Sequence, residues 1–115
     1  MGQPVVHFEI GCRDTAKTRE FYSKLFNWQI LAGPAAMIDT QGNGGINGHI
    51  TSLGHEPHNY VNIYVQVDDI EAYLAKAQEL GGKKLVGPVD IPTGSFAWMS
   101  DVEGTMIGLF KPKSS

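Results

Sequence analysis

Two side chains capable of acid–base chemistry stand two residues apart near the start of the sequence. His7 and Glu9 lie in Val5–Ile10, a short run rich in β-branched and aromatic residues that is typical of a strand. Alternate side chains of a strand point to the same face, so the imidazole and the carboxylate share a face about 7 Å apart. Such a pair can move a proton on a bound carbonyl compound, which makes both residues candidates for catalysis. The alternative is that His7 only donates or accepts a hydrogen bond to a ligand.

Two further predicted strands supply similar mixed faces. Over residues 60–69, polar side chains alternate with aliphatic ones, and "TMIGLF" (105–110) follows the turn "DVEG" (101–104). The aliphatic faces are expected to meet the helices; they comprise Val6, Phe8, Ile10, Val61, Ile63, Val65, Val67, Ile107 and Leu109. If Asp101 pairs with Thr105, the opposite face holds Asn62, Tyr64, Gln66, Phe96, Trp98, Ser100, Met106, Gly108 and Phe110. Aromatic rings beside a few polar groups are typical of a ligand cavity, although the rings could instead pack against a second chain or the other half of the sheet.

The order of predicted elements occurs twice along the chain. A strand precedes a helix capped by Asp14, with an apolar stripe of Phe21, Tyr22, Leu25 and Phe26, and strands follow at 27–31, 35–39 and 45–50. In the second half, Asp68 and Glu71 resemble a capping box before a helix that stops at Gly81-Gly82, and strands follow at 83–87, 95–100 and 105–110. Val6 matches Val61, Asp14 matches Asp69 and Leu25 matches Leu80, at a constant offset of 55. The pattern predicts an α+β fold with eight strands in two βαβββ modules, about 5–50 and 60–112, within a single domain over residues 1–115.

Composition narrows the classes of function. The chain has 115 residues, which is enough for one domain with a hydrophobic core. Its formal net charge is −3, and no basic patch suggests that it binds nucleic acid. No apolar run is long enough to span a membrane, and the N-terminus shows no cleavable leader. The single cysteine, Cys12, is predicted to be a buried structural thiol. It suits a reducing compartment, so we expect a cytoplasmic protein.

The order and spacing of these motifs resemble a known superfamily. "HFEIGCRDTAKTREFY", "VDDIEAYLAKAQELGG" and "MSDVEGTMIGLF" are together similar to the vicinal oxygen chelate superfamily, which includes glyoxalase I, bleomycin-resistance proteins and extradiol dioxygenases. The resemblance covers residues 5–110. It implies a curved eight-stranded mixed sheet around a cleft, in a homodimer.

The resemblance also implies three metal-ligand positions, of which this chain fills only the first. They fall on His7, Asn62 and Gly108, where the resemblance implies a histidine at the second position and a glutamate at the third. A neutral amide is a poor ligand for a catalytic transition metal and a glycine supplies none, so no metal and no other cofactor are predicted. A substitute site formed by His7, Glu9 and His49 is a less favoured alternative.

Other motifs carry weaker predictions. "GNGGING" (42–48) lacks the Gly-Lys-Ser/Thr ending of a phosphate loop and is predicted to be a flexible turn or cleft rim. His55 and His58 lie in a polar loop and are expected to be solvated. His49 suits either a cleft edge or the surface.

The sequence therefore predicts a metal-free small-molecule-binding protein that holds an aromatic or planar apolar ligand. The predicted ligand-binding residues are His7, Glu9, Asn62, Tyr64, Gln66, Phe96, Trp98, Met106, Gly108 and Phe110. Gly108 is expected to leave space for the ligand beside Trp98. The alternatives are a lyase, isomerase or dioxygenase with substituted metal ligands or metal-free acid–base chemistry, and a non-catalytic interaction module.

Overall fold

Eight strands and two helices form in the part of the chain described by a computed structural model, residues 2–42 and 44–113. The elements are β1 (Val5–Gly11), α1 (Thr15–Phe26), β2 (Gln29–Ile30), β3 (Ala35–Asp39), β4 (Gly48–Thr51), β5 (Tyr60–Gln66), α2 (Ile70–Glu79), β6 (Lys83–Ile91), β7 (Gly94–Ser100) and β8 (Met106–Pro112). Strand, helix and three strands occur twice, with both parallel and antiparallel pairing. The predicted α+β class is confirmed.

The chain divides into two compact units. The first unit is His7–Asn62, and the second unit is formed by the rest of the described chain. Within the described ranges, no helix is both long and apolar enough to cross a membrane.

The first unit has the strand order β2-β3-β4-β1. β1 and β4 run parallel and place Glu9 opposite His49, whereas β3 pairs antiparallel with both β2 and β4. Its buried core consists of Ala36, Ile38 and Ile50, against which Phe8, Ile10, Trp28 and Ile30 pack. The alternation predicted for β1 is therefore confirmed, because Phe8 and Ile10 belong to the core while Glu9 belongs to the opposite face.

The second unit has the strand order β5-β8-β7-β6. β5 and β8 run parallel and place Tyr64 opposite Gly108, and β7 pairs antiparallel with β8 so that Trp98 also lies opposite Gly108. The backbone N–H of Asp101 donates to the carbonyl of Thr105 at 2.9 Å, which confirms the predicted turn. The core consists of Val67, Ile70, Leu74, Ala97 and Leu109.

Several strand ends differ from the prediction for local reasons. β2 begins only at Gln29 because Asn27 takes a left-handed conformation, with φ 61°, at the end of α1. β4 begins at Gly48 rather than residue 45 because the backbone N–H and hydroxyl of Thr40 both donate to Asn47 Oδ1, which closes a loop there. β6 continues to Ile91 through irregular pairing near Gly87, where φ is +88°.

The cap of α2 is Asp69, not Asp68. The Asp69 carboxylate accepts from the backbone N–H of Ala72 at 3.1 Å, just as Asp14 accepts from Lys17 at 3.0 Å at the start of α1. The two caps are separated by the offset of 55 found in the sequence. This offset therefore predicted the cap of α2 correctly, whereas the capping-box pattern of Asp68 and Glu71 did not. β5 ends at Gln66 because the chain must turn into this cap.

Two predicted apolar surfaces are exposed rather than buried. Phe21, Leu25 and Phe26 of α1 are 59%, 58% and 52% exposed, and no residue of this helix is buried. Val61, on the same face of β5 as Val65, is 70% exposed, whereas Val65 packs against the core of the second unit. The sequence thus predicted the helices correctly but not which of their apolar residues are covered.

The cap assignment predicts different effects for two neighbouring aspartates. Asp69→Ala removes a side-chain acceptor from the first turn of α2 and is expected to lower the free energy of unfolding by about 1 kcal/mol. Asp68→Ala, which changes an exposed residue without that bond, is expected to stay within about 0.5 kcal/mol of the parent. Urea denaturation of both variants measures this. An equal loss in the two variants would contradict the cap.

Candidate functional site

Four polar side chains form a connected chain on one face of the first unit. His7 Nε2 lies 2.7 Å from His49 Nδ1, and the two rings stack with centroids 5.0 Å apart. His49 Nε2 lies 3.8 Å from Glu9 Oε1, and the Tyr60 hydroxyl donates to Glu9 Oε2. We call these four residues, His7, Glu9, His49 and Tyr60, the polar cluster.

Strand pairing brings the polar cluster together. His49 lies directly opposite Glu9 in the parallel pair β1–β4, and His7 precedes Glu9 by two residues on the same face. Of the two positions left open for His49, a cleft edge or the surface, the structure shows a partly buried ring that contacts His7 and Glu9. Tyr60 was missed, although its spacing of two residues from Asn62 within the predicted strand could have placed it on this face; that its hydroxyl reaches Glu9 was not visible in the sequence.

The Glu9 carboxylate is almost completely buried. Its residue is 2% exposed, and it is among the largest fully buried side chains of the described chain. A carboxylate taken out of water is costly unless polar partners surround it. The Tyr60 hydroxyl and the His49 ring are two such partners.

Tyr60 is held tightly by small residues and a loop. Methyl groups built on Gly11 or Gly54 would collide with its ring or hydroxyl, and the His55 ring stacks on it with centroids 4.0 Å apart at 18°. His58 Nδ1 lies 2.5 Å from Glu56 Oε2 in the same loop. The expectation that His55 and His58 are simply solvated is therefore wrong, because the loop folds back over Tyr60 and partly buries both rings.

Burial makes the two cluster imidazoles poor bases towards solvent. Desolvation and the neighbouring His49 lower the pKa of His7 to about 4, although Glu9 acts in the opposite direction. Desolvation also lowers the pKa of His49, again against Glu9. The pKa of the Tyr60 hydroxyl is raised by burial and then by its hydrogen bond to Glu9. At neutral pH both imidazoles are therefore uncharged, and each has one nitrogen that donates and one that accepts.

Asn62 adds a buried amide whose polar atoms have no hydrogen bond. It is 2% exposed, and among the described residues neither its Oδ1 nor its Nδ2 has a partner. It lies two residues after Tyr60 on β5, so its side chain points to the same face. An unpaired buried amide costs about 1–3 kcal/mol, and a bound polar group would remove that cost.

The side chains at the metal positions implied by the resemblance do not fit a metal ion. His7 Nε2 already contacts His49 Nδ1, and Asn62 offers only an amide. Across residues 2–42 and 44–113, no group of three His, Cys, Asp or Glu side chains is arranged to hold a metal. The alternative set of His7, Glu9 and His49 is therefore not such a group either, and its two imidazoles contact each other.

The space expected over Gly108 is filled by a ring of the second unit. A Cβ at Gly108 would collide with the ring of Tyr64, the residue opposite it in β5. The glycine is therefore required because Tyr64 lies across it, which corrects the expectation that a ligand stacks there. Any side chain at this position, including glutamate, must displace the tyrosine.

The aromatic residues predicted in the second unit do contact one another. Trp98 Nε1 donates to the Tyr64 hydroxyl at 2.8 Å, and the Phe96 ring lies 6.0 Å from Trp98 and 6.3 Å from Tyr64. Ala97 packs in the core with residues of α2, and its neighbour Trp98 points to the opposite face. The strand register assumed from the pairing of Asp101 with Thr105 is therefore correct. Three other predicted residues are partly buried: Gln66 on β5, and Met106 and Phe110 on β8.

Cys12 is 4% exposed, and its thiol contacts the Thr51 carbonyl oxygen at 3.7 Å. The predicted buried structural thiol is confirmed.

Comparison with known proteins agrees with this architecture. The model of the Glyoxalase/Bleomycin resistance protein/Dioxygenase superfamily matches residues 5–109. A Mycobacterium bovis protein named "Putative glyoxylase CFP32" is 33% identical over 85 residues, which are 73% of this chain and 33% of that protein. The chain thus spans about a third of the length of the curated relatives it matches.

Solved structures share the fold at low sequence identity. A hypothetical protein from Bacillus halodurans superposes with a TM-score of 0.74 at 15% identity, over 100% of this chain and 98% of that one. Methylmalonyl-CoA epimerase from Mycobacterium tuberculosis superposes with a TM-score of 0.69 at 14% identity, over 96% and 88% of the two chains.

The lowered pKa values predict an acid-sensitive fold. Because the pKa of His7 is about 4 in the folded protein and about 6.5 when unfolded, the unfolded state binds more protons between these values. The free energy of unfolding is expected to be greatest above pH 6.5 and to fall as the pH decreases to about 4. In His7→Asn this fall should be shallower. Urea denaturation between pH 4 and 7.5 measures both slopes, and identical slopes would contradict the burial of a neutral His7.

Proposed function

Because the chain belongs to the Glyoxalase/Bleomycin resistance protein/Dioxygenase superfamily, we propose that it binds a small organic molecule, without a metal, on the face that carries the polar cluster and Asn62. The observation behind the proposal is the buried amide of Asn62, which has no partner among the described residues. It stands on the same face as hydrogen-bonding groups that are uncharged at neutral pH. A ligand with a polar edge can form hydrogen bonds with the Asn62 amide and with these uncharged groups.

The metal-free part of the proposal is supported by the donor set. One imidazole nitrogen engaged by another imidazole and one neutral amide are a weak basis for binding zinc, iron or nickel. Glu9, the one carboxylate of the cluster, is committed to Tyr60 and His49.

The aromatic or planar nature of the ligand is proposed from the second unit independently. Its Tyr64, Phe96 and Trp98 rings form one aromatic cluster, and offset stacking on such rings adds about 0.5–1.5 kcal/mol beyond area burial. Since the space over Gly108 is filled by Tyr64, this proposal depends on the Trp98 ring itself.

A second candidate function is metal-free acid–base catalysis by a lyase, isomerase or dioxygenase of the same superfamily. The continuous chain from His7 through His49 and Glu9 to Tyr60 favours it, because such a chain can hold or move a proton at His7. Isomerase chemistry occurs on this fold in methylmalonyl-CoA epimerase. A location in the cytoplasm remains a prediction from the lone cysteine.

The partner that we propose for α1 is a second copy of the chain. α2 buries Ile70 and Leu74, but the residues of α1 at the equivalent offset, Thr15 and Arg19, are polar. Three apolar residues of α1, Phe21, Leu25 and Phe26, are more than half exposed and form an outward surface, whereas Tyr22 stacks on Trp28.

Charge makes this surface of α1 self-complementary. Glu20 and Lys24 are exposed and lie 3.6 Å apart, so two antiparallel copies of the helix can pair each residue with the opposite charge across a two-fold axis. Two grooves of about 390 and 680 Å³ run along the same helix and share Lys17 and Phe21.

A matched pair of substitutions tests the dimer. Leu25→Glu places a charge on the outward face of α1 and is expected to convert the dimer to a monomer at micromolar concentration. Leu80→Glu changes the equivalent residue after α2, which is 71% exposed, and is expected to leave the dimer intact. Sedimentation velocity measures the three species. A monomeric parent protein, or a monomer only in Leu80→Glu, would contradict the proposal.

Substitution of Asn62 separates binding from stability. Asn62→Leu removes two unpaired polar atoms at similar volume, so the free energy of unfolding is expected to stay equal or rise by about 1 kcal/mol while binding is lost. Asn59→Leu, at an exposed position, is expected to change neither. The measurements are urea denaturation and ligand-observed NMR with a panel of planar carbonyl compounds. A clear loss of stability in Asn62→Leu would show that the amide has a structural partner and would remove the main support for the site.

A further inference from the structure

We infer that the Asn62 amide selects neutral ligands that carry a hydrogen-bond donor and an acceptor side by side on one planar edge, as lactams, imides and primary amides do. This ligand class rests on the proposed function, since it describes what binds at the same face. The group that selects the ligand is Asn62, whose amide takes part in none of the hydrogen bonds of the polar cluster.

Both polar atoms of the Asn62 amide are available at once. Among residues 2–42 and 44–113, neither Oδ1 nor Nδ2 of Asn62 has a hydrogen-bond partner. Oδ1 accepts and Nδ2 donates, and the two atoms lie next to each other on one edge of a planar group. Turning the amide over exchanges the two atoms but leaves the same donor–acceptor pair. A ligand with a complementary edge can therefore form two hydrogen bonds with either orientation of the amide.

The burial of Asn62 favours a ligand that forms both bonds over a ligand that forms one. Asn62 is 2% exposed, so its two polar atoms are closed off from water in the free chain. A ligand that pairs with one atom leaves the other buried without a partner, and that loss is not recovered. A neighbouring side chain also has to move when a ligand reaches the amide, which adds a cost that the second hydrogen bond offsets.

Charge disfavours ligands that only accept or only donate. A carboxylate ligand can pair with Nδ2 of Asn62 but not with Oδ1. It would also add a second negative charge to the face that holds the buried Glu9 carboxylate, where the imidazoles of His7 and His49 are uncharged at neutral pH. An ammonium ligand only donates, so it leaves Nδ2 unpaired. A neutral edge with one donor and one acceptor pairs with both atoms and adds no charge.

Asparagine side chains recognise such edges in other settings. In protein–DNA complexes, an asparagine amide forms two hydrogen bonds with the adjacent donor and acceptor of adenine. That pairing requires only a planar partner with the two groups next to each other. The N–H and C=O groups of a lactam, which lie on the same side of the ring amide, meet this requirement.

Two isomeric pyridones test the selection, because they differ only in the position of these groups. 2-Pyridone carries N–H and C=O on adjacent ring atoms, whereas 4-pyridone carries them at opposite ends of the same planar ring. Loss of one of two hydrogen bonds predicts that the parent protein binds 2-pyridone about tenfold more tightly than 4-pyridone. Asn62→Leu should bind 2-pyridone no more tightly than 4-pyridone, and Asn59→Leu should keep the parent's preference. Titrations followed by ligand-observed NMR measure these affinities.

The side-chain amide of Asn62 provides a second measurement. Its NH₂ signals in ¹H–¹⁵N correlation spectra are identified by their absence from Asn62→Leu. Saturation with 2-pyridone should shift these signals downfield, because Nδ2 then donates to the ligand carbonyl. NH₂ signals that stay in place while 2-pyridone binds would overturn the inference, since the ligand would then lie away from Asn62.

The affinities separate failure of the ligand class from failure of the proposed function. Equal binding of the two pyridones by the parent protein would overturn the class, whether or not Asn62→Leu folds. A preference that survives in folded Asn62→Leu would overturn it too. If neither pyridone bound while other planar carbonyl compounds bound in an Asn62-dependent way, the class would fail and the proposed function would stand. If none of these compounds bound, the proposed function would fail and the class with it.

Discussion

The burial of one carboxylate is the constraint on which the candidate site depends. Glu9 is 2% exposed, and a buried carboxylate persists only where donors surround it. Tyr60 and His49 come from residues far apart in sequence, and the pairing of β1 with β4 is what places His49 opposite Glu9. The two histidines are in direct contact, and this contact engages His7 Nε2 and His49 Nδ1 with each other.

Glycine and tyrosine are matched in both units. In the first unit, Gly11 and Gly54 make room for the ring whose hydroxyl reaches Glu9. In the second unit, Gly108 makes room for Tyr64, whose hydroxyl accepts from Trp98. The glycine at the position of the implied metal-binding glutamate is thus part of an aromatic packing arrangement, and reverting it to glutamate would disturb that packing before it supplied a ligand.

Sequence patterns correctly predicted the structural features that depend only on residues close together in the sequence. The helix caps, the alternation along β1 and the turn at residues 101–104 follow from local chemistry and were correctly predicted, apart from the one-residue shift to Asp69. His49 and Tyr60 could not be assigned because their roles depend on strand register and on a loop that folds back over Tyr60. The sequence did not predict the exposure of α1 either, because an apolar stripe indicates that a helix is amphipathic but not which part of the protein covers it.

The central claim is that this face binds an organic molecule through a fixed set of hydrogen bonds rather than through a metal ion. Elemental analysis of the purified protein, after incubation with zinc, nickel, manganese and iron(II) and then dialysis, tests it most directly. The arrangement of His7, His49 and Glu9 predicts far less than one metal ion per chain. About one ion per chain, lost on substitution of His7, would contradict the account.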